Sequence, residues 1–158
     1  MMCRMIQYTF LTLFFGAAVY GVFIQNEDTA NQSPVQHVVT IRGHRLNVDV
    51  AATPQARAQG LAGREFLADD EGMIFYFEKP EMRSFWMKDM IIPIDIIWIQ
   101  DFTIVGYEDD VKPEPGVPDQ DLRNYVSPEP VQKVLEVRSG LRKELGWEVG
   151  DAVGIPLD

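Results

Sequence analysis

From about Gln36 onward, apolar and polar residues alternate in short runs separated by turn residues, the period of half-buried strands. Runs 37–42 and 45–50 flank Gly43-His44 and predict a hairpin. In its second arm Leu46, Val48 and Val50 share one face, with Arg45, Asn47 and Asp49 on the other. Thr53-Pro54 reads as an N-cap followed by proline at the first helical position, and Gly60 as the stop of a short helix. Further strands are predicted over 73–77, from Ser84 through Lys88, and over 94–99, 103–107, 131–138 and 152–155. A second short helix falls in 139–146, where Leu141 and Leu145 share a face and Gly146 ends it. Between Glu108 and Pro130, Pro113, Pro115, Pro118 and Pro128 and a crowd of acids predict a long loop. With about eight strands and two short helices, the fold class is mainly β, a compact β-sandwich or partly closed barrel.

Ahead of this pattern lies a segment of another kind. Residues 5–24 run without a charge, and about 20 such residues at ~1.5 Å each cross a ~30 Å hydrocarbon core. Arg4 precedes the run while Glu27 and Asp28 follow it, so the chain after Ile24 is expected outside the cytoplasm. The division is therefore a signal anchor or signal peptide over 1–25, a polar tether over 26–35 and a β domain over 36–158. The expected place is a bacterial inner membrane with the C-terminal domain in the periplasm or outside, or secretion to the periplasm if the signal is cut. Cys3, the single cysteine, stands before the apolar run, so the exported part has no thiol nucleophile and no disulfide.

Charge narrows the choice of partners. Lys and Arg number 14 against 24 Asp and Glu, a formal net charge of −10. A general nucleic-acid binder needs a basic face to displace counterions, so no nucleic acid is expected as partner. The membrane through residues 5–24, and an envelope glycan or protein, are the expected ones.

The usual catalytic signatures, G-x-S-x-G, H-E-x-x-H, the P-loop and the dinucleotide glycine pattern, do not occur. His37 and His44 sit at the two ends of the first predicted strand, and neither metal nor cofactor is expected. The unusual stretch is 83–95, where Asp95 lies among isoleucines in a run apolar on both faces. Such a carboxylate needs a cation or hydrogen-bond donors, or a raised pKa; Lys88, Arg83, Arg64 and Arg138 are candidate partners. It is either a structural ion pair or part of a charged cleft lined by Trp86 and Met87. Trp86, Trp98 and Trp147 offer faces on which sugar rings stack, although indoles more often fill cores. The acids of 108–110 and of Asp119 and Asp121 are oxygen ligands without a calcium-loop spacing, expected as a solvated acidic loop. Asp95 and Glu136 are the pair for acid–base chemistry on an envelope polysaccharide or peptide.

One ordered set of motifs resembles a known family. Gly60-Leu61 with Arg64, Gly72-Met73-Ile74-Phe75, Ser84-Phe85-Trp86-Met87-Lys88-Asp89 and Ile92-Pro93-Ile94-Asp95-Ile96 are similar to the DUF192 family, also called UPF0127. Tyr125-Val126-Ser127, Val134-Leu135-Glu136-Val137, Ser139-Gly140 and Val149-Gly150-Asp151 continue the likeness over roughly residues 38–157. Asp89 stands where that family more usually carries Asn. The resemblance implies a compact β-rich, sandwich-like domain, often exported behind a signal peptide or anchor, and it brings no catalytic residues with it. It marks Arg64, Trp86, Met87, Lys88, Asp95 and Glu136 as the candidate binding cleft. The resulting expectation is an exported, non-enzymatic ligand- or partner-binding β module. The alternatives are an envelope enzyme with paired carboxylates and a purely structural membrane-proximal module.

Overall fold

The computed structural model describes residues 37–155. The apolar segment 5–24 and the tether lie outside them; among the described residues no helix is long and apolar enough to cross a membrane.

Strand β1 (His37–Ile41) turns back into β2 (His44–Ala51) through Arg42-Gly43, one position earlier than the sequence pattern suggests. Both turn residues have positive φ, 49° and 83°, the backbone of a two-residue hairpin whose twist suits antiparallel strands. His37 pairs with Val48 at the far end of the hairpin while His44 sits at its turn.

Helix α1 (Pro54–Gln59) follows, with the Thr53 hydroxyl accepting from the Ala56 amide at 3.1 Å. It belongs to a crossover, because β3 (Glu71–Glu81) then pairs parallel to β2. The short strand β4 (Ser84–Phe85) leaves the main sheet, to which β5 (Ile94–Gln100) and β6 (Thr103–Val111) return as a hairpin. The expected long loop is shorter than 108–130. β6 continues past a bulge to Val111, with Asp110 at φ 52°, and β7 (Tyr125–Val126) pairs with β4 as a separate two-stranded ribbon. β8 (Val131–Arg138), α2 (Leu141–Leu145) and β9 (Val153–Gly154) complete the order.

The main sheet is continuous and seven-stranded, in the order β6-β5-β8-β3-β2-β1-β9. Two sheets packed face to face are not what forms. The single sheet curls into a half-barrel whose edges meet at one end, where Thr103 bridges Ala152 and the Val153 amide donates to Phe102 at 2.8 Å. Of the two expected forms, the partly closed barrel is the closer.

Each face of the sheet carries its own core, which explains the continuous apolar run in β5. One core joins Val39, Leu46, Ile74, Ile97, Leu135, Val137 and Trp147. The other joins Phe75, Ile94, Ile96, Trp98 and Val134 to Leu61, Leu67, Met87 and Met90 from the crossover and the segment after β4. At Gly72 a Cβ would stand 2.8 Å from the Glu136 carbonyl oxygen, so only glycine lets β3 and β8 approach this closely. Trp98 and Trp147 are buried core residues, which leaves Trp86, 48 % exposed, as the one indole of the three able to stack on a ligand.

Candidate ligand-binding pocket

Glu136 lies in the middle of β8, opposite Met73 of β3 and Ile96 of β5, on the face that carries Val134. Its neighbours across both ladders are thus apolar. The residue is 6 % exposed, and its Oε2 atom has no hydrogen-bond partner. Burial pushes the carboxyl up from its ordinary 4.5 to about 8, so at neutral pH it is a carboxylic acid able both to donate and to accept. Orphaned buried carboxyls are rare, and each calls for an explanation in function or strain.

This carboxyl helps line a pocket of about 220 Å³ roofed by the crossover and by β4. The end of α1 and the residues after it, Arg57 through Leu61, form one side, and Ser84, Phe85, Trp86, Lys88 and Met90 form another. Phe75 and Phe77 rise from β3. The rings brace one another: Phe85 meets Phe75 edge-on at 5.0 Å, Phe77 at 6.5 Å and Trp98 at 5.6 Å. At the rim the Lys88 ammonium lies 5.8 Å from the Trp86 ring and is held at 2.5 Å by Asp119, whose hydrogen bond raises the Lys88 pKa.

Of the six expected cleft residues, the fold brings Trp86, Lys88 and Glu136 to this pocket. Met87 turns inward and is core, 2 % exposed. Arg64 lies on the same side of the sheet, pairing at 2.5 Å with Asp49, the neighbour of Met73 in the β2–β3 ladder, and it does not line the pocket. Asp95 belongs elsewhere. It pairs with Val137, one register position from Glu136, so the two side chains leave opposite faces of the sheet. Its partners are not the expected cations but backbone amides: Asp110 at 2.8 Å, Gly140 at 3.0 Å and Arg142 at 3.1 Å. Asp95 is a structural acceptor that ties the β6 bulge to the start of α2.

The acids of the 108–121 region are also engaged rather than merely solvated. Asp109 holds Arg142 at 2.5 Å, and Asp110 meets Lys112 at 2.6 Å. Among the described residues no group of three or more His, Cys, Asp or Glu could hold a metal ion.

Sequence reasoning missed Arg57, Phe75 and Phe77 as site residues. Phe75 and Phe77 lie in an apolar strand run that gives no hint of a site, and Arg57 sits in the last turn of α1 without a local signal of its own. The parallel crossover that sets α1 beside β3 has no local signal.

The family profile of DUF192, described as an uncharacterized ACR, matches residues 37–155. The chain belongs to the DUF192 family. The likeness extends to solved structures. A Novosphingobium aromaticivorans DSM 12444 protein of unknown function is 34 % identical with a TM-score of 0.67, over 74 % of this chain and 83 % of that one. A Sinorhizobium meliloti 1021 protein described as a candidate transcription regulator is 32 % identical with a TM-score of 0.71, over 80 % of this chain and 98 % of that one. No curated protein matches. The DUF192 match ends where the described β domain ends, and the apolar segment 5–24 lies before its start.

Proposed function

We propose that this DUF192 domain is a non-enzymatic binding module that takes a small ligand between α1 and β4, displayed outside the cytoplasm by the apolar segment 5–24. The observation that carries the reading is the unpartnered Glu136 carboxyl on an aromatic-walled pocket. A ligand donor supplies the hydrogen bond the protein withholds, at a position where leaving it unmade costs about 1–3 kcal/mol. Ring faces and an oriented polar group are the usual composition of a small-molecule site. The paired-carboxylate alternative lacks its pair, since Asp95 is on the other face of the sheet and Glu136 is the one acid lining this pocket. The description of the Sinorhizobium meliloti relative points toward DNA, but a net charge of −10 speaks for a small ligand instead.

The test is a thermal-shift screen of the full chain in detergent against envelope glycans, muropeptides, amino acids and nucleotides. A ligand at ~100 times Kd adds ~2.7 kcal/mol, a readable shift. The expected hit disappears in Glu136→Gln and weakens in Trp86→Ala. A hit that survives both substitutions places the ligand elsewhere and removes this reading.

A further inference from the structure

The charged groups around the pocket form a short account with two unmatched members. Lys88 is matched by Asp119 at 2.5 Å, Arg83 by Glu81 at 3.0 Å and Arg64 by Asp49 at 2.5 Å. Arg57 and Glu136 both line the pocket, and neither forms a salt bridge among the described residues, although Arg57 also faces an adjoining pocket lined by Glu78 and Glu81. Arg57 Nη1 donates to the carbonyls of Ala52 at 2.6 Å and Tyr76 at 3.0 Å, and its guanidinium lies 5.1 Å from the Phe77 ring. Those contacts hold the cation in place without neutralising it. Glu136 is buried, whereas Arg57 is half-buried on α1.

Resting on the pocket reading above, we infer that the ligand is a small zwitterion, its ammonium group hydrogen-bonded to Glu136 and its carboxylate paired with Arg57. Its apolar side chain would lie against Phe75, Phe85 and Trp86. The chemical class is an amino acid with an apolar side chain. Three considerations support it over a ligand of single charge. A lone cation leaves Arg57 without a salt-bridge partner, and a lone anion leaves Glu136 with at most a neutral hydrogen bond. A zwitterion matches both groups, and hydrogen bonds between charged partners are about twice as strong as neutral ones. The volume, about 220 Å³, is below the ~300–1,000 Å³ of pockets that enclose larger ligands.

The proton balance follows. The free protein holds Glu136 as an acid at neutral pH because of burial. When an ammonium ion binds, the carboxyl ionises against it and releases its proton to solvent, while the ligand's own charges stay as they were. The other charged groups packed around this site are Arg57 on α1, Lys88 with Asp119 at the rim, the Arg64–Asp49 pair beside Met73, and Glu78, Lys79 and the Arg83–Glu81 pair, which line the adjoining pocket with Arg57. Glu136 is the one of these carboxyls that is buried with an unpartnered oxygen, which makes it the source of the proton.

The experiment is calorimetry of the full chain at neutral pH with phenylalanine, phenethylamine, hydrocinnamate and phenethyl alcohol, in two buffers of different ionisation heat. Phenylalanine is expected to bind at least about tenfold tighter than either singly charged probe, releasing close to one proton. Glu136→Gln should abolish that release and lower phenylalanine affinity while leaving hydrocinnamate unchanged. Arg57→Gln should lower phenylalanine affinity and leave phenethylamine unchanged. Phenethyl alcohol binding as well as phenylalanine, with no proton released, overturns the zwitterion and keeps the pocket. Binding of none of the four probes also overturns it, whereas the pocket reading falls only if the wider thermal screen finds no ligand sensitive to Glu136.

Discussion

Two buried carboxyls decide this molecule residue by residue, and they were assigned opposite fates by their backbone surroundings. Asp95 accepts three amide hydrogen bonds and is spent on holding β6 and α2 together. Asp95→Asn puts a donor where acceptors are needed and is expected to cost about 2–4 kcal/mol, read from urea unfolding at neutral pH. Glu136 has no such amides within reach. Its folded pKa of about 8 lies above the ordinary 4.5, so between these values the folded state binds the extra proton and stability falls as pH rises. Glu136→Gln removes that slope. The stability difference between variant and wild type should stay flat below 4.5, grow toward 8 and stay flat above it. Parallel pH profiles for the two proteins would show that the carboxyl is already satisfied. Trp86 is the converse case: half-exposed on the rim, its replacement by alanine should shift unfolding by no more than about 0.5 kcal/mol while binding suffers.

Among the elements, those with local signals were legible in the sequence and those made by distant pairing were not. Thr53-Pro54 and Gly60 marked α1 to the residue, and the alternation of Leu46, Val48 and Val50 marked a strand face. The run 94–99 was legible as a strand, and its lack of alternation reflects a sheet covered on both faces. The extension of β6 through Val111 was hidden because Asp110 takes a left-handed conformation that no local pattern announces. The same holds for the site. Trp86, Lys88 and Glu136 were legible as unusual residues, but Asp95 was wrongly grouped with them because one register step reverses the face. Gly72 is the element-level pivot, since β3 and β8 meet there. Gly72→Ala forces a Cβ against the Glu136 carbonyl and should cost about 1–3 kcal/mol in denaturant unfolding, with ligand affinity falling as β8 shifts. Unchanged stability would mean that the two strands are not so closely apposed.

For the whole molecule, a curled sheet with a core on each face gives β8 a rigid bed, and the crossover carrying α1 roofs one side of it. That arrangement holds a costly unpaired carboxyl in place, because neighbouring strands fix its backbone and the pocket is its outlet. The acidic surface and the apolar segment 5–24 belong to the same reading, in which the pocket faces the space outside the cytoplasm. The full chain is expected to fractionate with membranes, and its β domain to be cleaved by protease added to spheroplasts. Full protection with the membrane intact would reverse the proposed orientation. A carbon NMR titration of isotope-labelled Glu136 in the full chain, alone and with phenylalanine, tests the pocket carboxyl itself. A midpoint near 8 is expected for the free carboxyl, moving well down when the ligand's ammonium is bound. A midpoint near the ordinary 4.5, indifferent to ligand, would contradict it.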